Sequence, residues 1–245
     1  MKIYSNTPYH DDYDETKQFY RILYKPGKAV QARELTQMQT LIQGQIERFG
    51  KNIFKEGSIV IPGEQVYDTK YKYVKLTTSY NSVNADDVIA SLVDTVIIGR
   101  TTGVRAVVIG YDVATETDPS TIYVRYLNSG SSGTSYTFDD SEVIDNELGT
   151  ITVQAAASSA TGFGTAFSIG SGAIFTKGTF VYFAEQTKVI SKYSTVSDII
   201  IGFVVTESVV TSDDDESLLD PAVGTYNYFA PGADRYKIAL TLGTR

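Results

Sequence analysis

The chain has 245 residues, no cysteine, no tryptophan, one histidine and a formal net charge of −8. The missing cysteines exclude a disulfide framework and a thiolate metal site, and one histidine excludes a histidine-rich zinc centre. The acidic balance, with Lys and Arg in no obvious cluster, argues against nucleic-acid binding through phosphates.

No apolar run reaches the length of a membrane span, and the first residues lack the apolar core of a signal peptide. Membrane insertion is therefore not expected, and synthesis and folding in a cytoplasm are. Eighteen Tyr, eleven Phe and twenty Gly, with many Val, Ile, Thr and Ser, fit strands joined by tight turns, so a mainly β fold in two packed units is expected.

Residues 1–28 read as an extended arm, rich in Tyr and Asp and broken by Pro8 and Pro26, without the pattern of a core of its own. Its acidic run Asp11-Asp12-Tyr13-Asp14-Glu15 reads as solvated loop, as do Asp139-Asp140 and Asp213-Asp214-Asp215-Glu216. Calcium is the minority reading, since none has the Asp-x-Asp-x-Asp-Gly loop with a closing Glu. No metal or other cofactor is expected.

One long helical pattern follows, over residues 29–53, preceded by the turn Pro26-Gly27. Leu35, Met38, Ile42, Ile46, Phe49 and Ile53 advance in steps of three and four and so share one narrow stripe, flanked by several Gln. Such a stripe suits a coiled-coil seam, and neutral Gln flanks avoid like-charge repulsion across a symmetric interface. Leu35, Met38, Ile42, Ile46 and Phe49 are therefore candidate oligomerisation residues, with a homo-oligomer, specifically a trimer, set against a helix packed on its own sheet.

Residues 54–84 read as strand, turn, strand, with Tyr67, Tyr71 and Tyr73 on one face. Short apolar runs at 93–99, 103–109 and 121–127, then near Val143 and at 151–154, suggest five strands of a small barrel inserted at residues 85–155. Ser129-Gly130-Ser131-Ser132-Gly133 reads as a hairpin tip, and residues 155–172 as a linker. Strands are expected again within 174–206 and at 236–242, so that 54–84 and 170–245 together form a β body.

That body contains a repeat. Residues 53–65 and 174–186 align without a gap, with Ile53/Ile174, Phe54/Phe175, Gly57/Gly178, Val60/Val181, Glu64/Glu185 and Gln65/Gln186 identical. The expected unit is a duplicated β-hairpin, an architectural device rather than a convergence of unlike catalytic groups. The whole is expected to be mainly β: extended arm, one long α-helix, duplicated hairpin body and inserted small β-barrel.

Candidate chemistry is sparse. His10 lies in the arm beside Asp11 and Asp12, a poor setting for a nucleophile's base. Glu64 and Glu185 are the most notable acids because the repeat places them equivalently, though a Glu-Gln after a turn also serves backbone donors. Pro231-Gly232 makes a rigid turn, and Asp234 and Arg235 after it are a candidate structural pair. Abundant Tyr also suits a sugar-stacking surface.

Three N-terminal segments carry a resemblance: Tyr24-Lys25-Pro26-Gly27-Lys28-Ala29-Val30-Gln31-Ala32-Arg33-Glu34-Leu35-Thr36-Gln37, Ile46-Glu47-Arg48-Phe49-Gly50, and Gly57-Ser58-Ile59-Val60-Ile61-Pro62-Gly63. With residues 178–186, Lys192-Tyr193-Ser194, Glu207-Ser208, Ser217-Leu218-Leu219-Asp220 and residues 230–235, they resemble a family of tailed-phage virion proteins, found especially in contractile-tailed phages including those of cyanobacteria. The resemblance covers residues 1–80 and 170–245. It implies a structural protein of the tail, baseplate or tail-fibre apparatus, assembled in the host cytoplasm and partnered by its own copies and other tail proteins, with no catalytic residue to transfer. Such proteins are often longer, so continuation in a longer parent is expected. A host-surface carbohydrate-binding module, or a cell-wall hydrolase using Glu64 and Glu185, are the alternatives.

Overall fold

The computed structural model describes residues 5–245, so the first four residues of the expected arm lie outside the described residues. In chain order the elements are α1 (Ala32–Ile53), β1 (Ser58–Ile61), β2 (Gln65–Lys75), β3 (Ser79–Tyr80), β4 (Val83–Asn84) and α2 (Ala85–Val88). Then come β5 (Val96–Gly99), β6 (Arg105–Asp112), β7 (Thr121–Tyr126), β8 (Val143–Asn146), β9 (Thr152–Gln154) and β10 (Thr161–Ile169). The last five are β11 (Gly172–Thr176), β12 (Thr179–Phe183), β13 (Gln186–Ser191), β14 (Ile201–Val210) and β15 (Arg235–Thr244). The fold is mainly β, with one long helix. It divides into two compact units, the first comprising residues up to 64 with 169–186 and 202–243, the second 65–168, 187–201 and the last two residues.

In the first unit, α1 starts three residues after the expected 29 because Gln31 is extended (φ −94°, ψ 145°) and caps it. The Glu34 carboxylate accepts from the Gln31 amide at 2.9 Å, fixing that start. The helix buries Thr40, Leu41, Gly44 and Gly50. Gly50 rests on the Phe175 ring, where a Cβ would collide. Beside it β11 is the middle strand of an antiparallel three-stranded sheet, β1-β11-β12, and all five of its residues are buried. Phe54, Phe175 and Phe180 pack ring to ring, with Phe54 centroids 5.9 Å from Phe175 and 5.6 Å from Phe180. β14 and β15 form a separate two-stranded sheet.

The second unit is an eight-stranded sheet in the order β13-β10-β2-β7-β6-β5-β8-β9. Val74, Leu76, Ile97, Val108, Ile122, Val124, Ile144 and Val153 form its core, closed over by Ala85 of α2 and by Ile89 and Leu92 of the short 3-10 turn that follows.

Four sequence expectations are corrected. No closed barrel forms at 85–155 among the described residues: β5–β9 continue a sheet that already contains β13, β10 and β2. The cause lies in β7, whose first four residues are all buried and whose two edges are both paired, with β6 and, in the register Tyr73↔Tyr123, with β2. The isolated bridge Leu76↔Ala155, with Thr77 N donating to Gln154 O and Ala156 N to Lys75 O at 2.9 Å each, ties the end of β9 back towards β2 without continuing it as a paired strand. The run 129–133 is not a hairpin tip, because β7 and β8 are not neighbours in the sheet.

Residues 155–172 are not a linker but contain β10, seated between β13 and β2. Its glycines let backbones approach closely: a Cβ on Gly164 would strike the carbonyl oxygens of Ser191 and Lys192. Finally, only the second repeat copy is a hairpin, β11 to β12. In the first copy Ile53 ends α1 and Phe54 caps it. What recurs is a glycine at positive φ (Gly57 +81°, Gly178 +76°), then a short strand, then Glu-Gln. Glu64-Gln65 and Glu185-Gln186 stand where the chain leaves the first unit for the second. β1 and β12 flank β11, and β2 and β13 flank β10, so the repeat is one crossing used twice.

Candidate functional site

The stripe of α1 is the largest chemical anomaly of the first unit. Leu35, Met38, Ile42, Ile46, Phe49 and Ile53 are all exposed, Ile42 by 56% and Phe49 by 64%. The helix is held to its own unit by its other faces, so the stripe is not how it packs. Placing six large apolar side chains along one exposed helix face forgoes burial worth ~1 kcal/mol or more for each, which an isolated unit has no means to recover.

The arm approaches α1 from a different side. Asp11, only 3% exposed, accepts from the Thr40 hydroxyl and from the Tyr13 amide at 3.1 Å. Asp12 pairs with Arg33 at 3.3 Å and accepts from Gln37 at 3.4 Å, and Glu15 pairs with Arg48. Part of this acidic run is thus a buried fastener, correcting the solvated-loop reading. At about 100° per residue, Arg33, Gln37, Thr40 and Arg48 share one helix face, and the stripe lies on roughly the opposite one. Between Glu15 and α1 the chain is uncovered: Phe19, Tyr20, Leu23, Tyr24 and Val30 are all exposed.

A cleft of about 950 Å³ in the first unit lies among Ile46, Glu47, Lys51, Glu56, Lys177, Tyr182, Glu207 and Tyr236. Its charges are engaged with one another: Lys51 with Glu47 at 2.5 Å and Lys177 with Glu207 at 2.9 Å. The hydroxyl of Thr176 and the amide of Lys177, both donating to Glu56, hold that carboxyl below the ordinary range. This is a set of compensated charge pairs.

A second cleft, about 440 Å³ and within the second unit, gathers Tyr71, Tyr111, Asp112, Tyr123 and Lys192. The Tyr71 and Tyr123 rings lie 5.1 Å apart, the Tyr123 hydroxyl donates to Asp112 at 2.7 Å, and Lys192 faces Asp112 and Asp118 at 3.5 Å each. Burial, with a smaller push from the charges of Asp68 and Asp112, raises Tyr71 to about 12. Burial and the Asp112 hydrogen bond raise Tyr123 as well.

The remaining expected positions are structural. Asp234 accepts from the Tyr9 hydroxyl, while Arg235 donates to the Ala233 carbonyl at 2.5 Å and to the Asp234 backbone carbonyl at 3.4 Å; the two side chains do not form an ion pair with each other. Being adjacent in sequence at the entry to β15, they point to different partners. Pro231 bridges to Leu219, and the Gly232 amide donates to Leu218 O at 3.2 Å. Gln186 clamps β15, donating to Leu240 O at 2.8 Å and accepting from Leu242 N at 2.9 Å. Gln65, Glu64 and Glu185 are exposed, and the Gly170 amide donates to the backbone oxygen of Glu64 at 2.8 Å. No group of three or more His, Asp or Glu side chains among the described residues is arranged to hold a metal ion.

These features define a mainly β, two-unit protein with an exposed apolar helical stripe. The chain belongs to the family described as a domain of unknown function (DUF4815), which matches residues 7–119 and 154–245. No curated protein and no solved structure matches it. The unmatched stretch, residues 120–153, lies within the segment expected from sequence to be inserted.

Proposed function

We propose that this is a virion structural protein of a phage tail, baseplate or tail-fibre anchor, working by assembly and protein–protein docking rather than catalysis. The observation that carries the reading is the uncovered stripe Leu35, Met38, Ile42, Ile46 and Phe49: a surface of this kind is a cost to a free chain and an asset only to one that is covered in an assembly. The quoted sequence resemblance supports the tail setting. Copies of the same chain, assembled as a trimer, and other tail or baseplate proteins are the partners, and residues 85–155 add a decorating or docking surface.

Light scattering of the full chain tests the reading. The wild type is expected to be oligomeric and the variant Ile42→Glu with Phe49→Glu monomeric, with both equally folded by circular dichroism. A wild type that stays monomeric in the presence and absence of the companion tail proteins refutes it. The tyrosine cleft of the second unit favours one other reading, glycan binding, because flat rings beside a carboxylate suit a sugar's apolar face and hydroxyls. Titration of the chain with host envelope glycans, compared with Tyr111→Ala, checks this second reading.

A further inference from the structure

We infer that residues 17–31 form an exchanged strap that seats on the exposed α1 stripe of a second copy of this chain. This rests on the assembly reading above and adds to it which segment covers the stripe. The strap, Lys17-Gln18-Phe19-Tyr20-Arg21-Ile22-Leu23-Tyr24-Lys25-Pro26-Gly27-Lys28-Ala29-Val30-Gln31, is exposed almost throughout, Tyr20 by 69% and Leu23 by 76%, with Ile22 alone half-buried. One chain therefore displays two apolar surfaces, strap and stripe, and uses neither to cover the other.

Its anchoring leaves it free to reach outward. Glu15 is fixed at Arg48, near the far end of α1, and the helix begins at Ala32. Those two points are about 24 Å apart along the helix axis. The intervening residues can span on the order of 50 Å when extended, so the strap carries about twice the length that it needs. The acidic fasteners also hold the arm on the helix face roughly opposite the stripe.

Area and charge both select a second copy. The six stripe residues together expose about three side chains' worth of surface, and Phe19, Tyr20, Leu23, Tyr24 and Val30 expose about as much. At ~180 Å² for each fully exposed large side chain, one strap on one stripe removes on the order of 1,000 Å², near the lower limit of a specific interface, and reciprocal exchange doubles it. The strap carries Lys17, Arg21, Lys25 and Lys28 and no acid, which leaves −12 on the remainder of the −8 chain. A cationic strap is therefore drawn to the acidic body of another copy, whereas two bodies alone repel. The four cations are spaced too widely to register as a basic cluster.

The absence of cysteine makes the test clean. One batch of full chain carries Tyr20→Cys or Leu23→Cys, another Ile42→Cys or Ile46→Cys, all at exposed positions. The batches are mixed and oxidised, and light scattering is recorded before oxidation. A strap–helix disulfide needs Cα atoms within about 7 Å, and a seated strap should raise the mixed-batch dimer at least ~10-fold above that from either batch alone. That result supports the exchange. Oligomers that link Ile42→Cys to Ile42→Cys but never strap to helix overturn the strap while leaving assembly through the helix intact. An intramolecular disulfide in a chain carrying both Tyr20→Cys and Ile42→Cys, without association, shows that the strap covers its own helix and also overturns it. Monomers at every concentration without cross-links remove both the exchange and the self-assembly beneath it.

Discussion

Replacing Glu142 with glutamine should weaken the second unit out of proportion to so small a change. Glu142 is 3% exposed, and its Oε1 accepts from the amides of Thr101 at 2.9 Å and Thr102 at 2.7 Å and from the Thr102 hydroxyl at 2.9 Å. Its Oε2 accepts from the Asp139 amide at 2.9 Å. One side chain thereby pins the turn between β5 and β6 to the turn that leads into β8. A glutamine in the same place has only one oxygen, so its NH₂ group must face a backbone donor, and a buried N–H is left unpaired at a cost of ~1–3 kcal/mol. The neutral amide also gives up charge-assisted acceptance, partly offset by the smaller cost of burying it. A net loss of about 2–3 kcal/mol corresponds to a fall of roughly 4–12 °C in Tm for a chain of this size. Calorimetry with amide exchange at Thr101, Thr102 and Asp139 is the assay. A variant that melts within ~0.5 kcal/mol of wild type, with exchange at those three amides unchanged, refutes the clamp.

Three further outcomes are expected. Gly164→Ala places a methyl against the Ser191 and Lys192 carbonyl oxygens at the end of β13 and should cost ~1–3 kcal/mol by denaturant titration, the same change at the open Gly202 costing far less. Tyr126→Phe removes a buried hydroxyl that makes no well-formed hydrogen bond among the described residues, its approach to the Phe138 backbone falling short of one, so chemical denaturation should show stability unchanged or raised by up to ~1 kcal/mol. Acid should unfold the second unit partly through Asp145, whose carboxyl is held below its ordinary 3.8 by hydrogen bonds from Arg100 against the opposing effect of burial, with Thr152 also donating. A depressed folded value means that this stability is fully present above 3.8 and is lost as pH falls through the folded value; Arg100→Ala should therefore flatten the acid limb of stability against pH, and an unchanged limb would count against the pair.

Local pattern was legible where local physics decides. Steps of three and four marked α1, and apolar runs between Gly and Pro turns marked β5, β6, β7, β14 and β15, because periodicity and turn chemistry belong to neighbouring residues. The repeat was legible as identity but not as structure: Ile53-Phe54 ends a helix and Ile174-Phe175 lies in a strand, since what precedes each copy differs. β10 was hidden because Thr-Gly-Phe-Gly-Thr-Ala has the composition of a linker, and its glycines make sense only against distant segments, Gly164 against the Ser191 and Lys192 carbonyls and Gly162 against the Tyr73 ring. Glu142 was one acid among twenty-nine until folding brought Thr101, Thr102 and Asp139 to it. The sequence by itself determined that α1 would carry an apolar stripe. Only the tertiary structure decided that Gly50 would face inward and leave the stripe outside, because close packing needs a small residue where the helix meets the Phe175 ring, and Phe175 lies more than a hundred residues away.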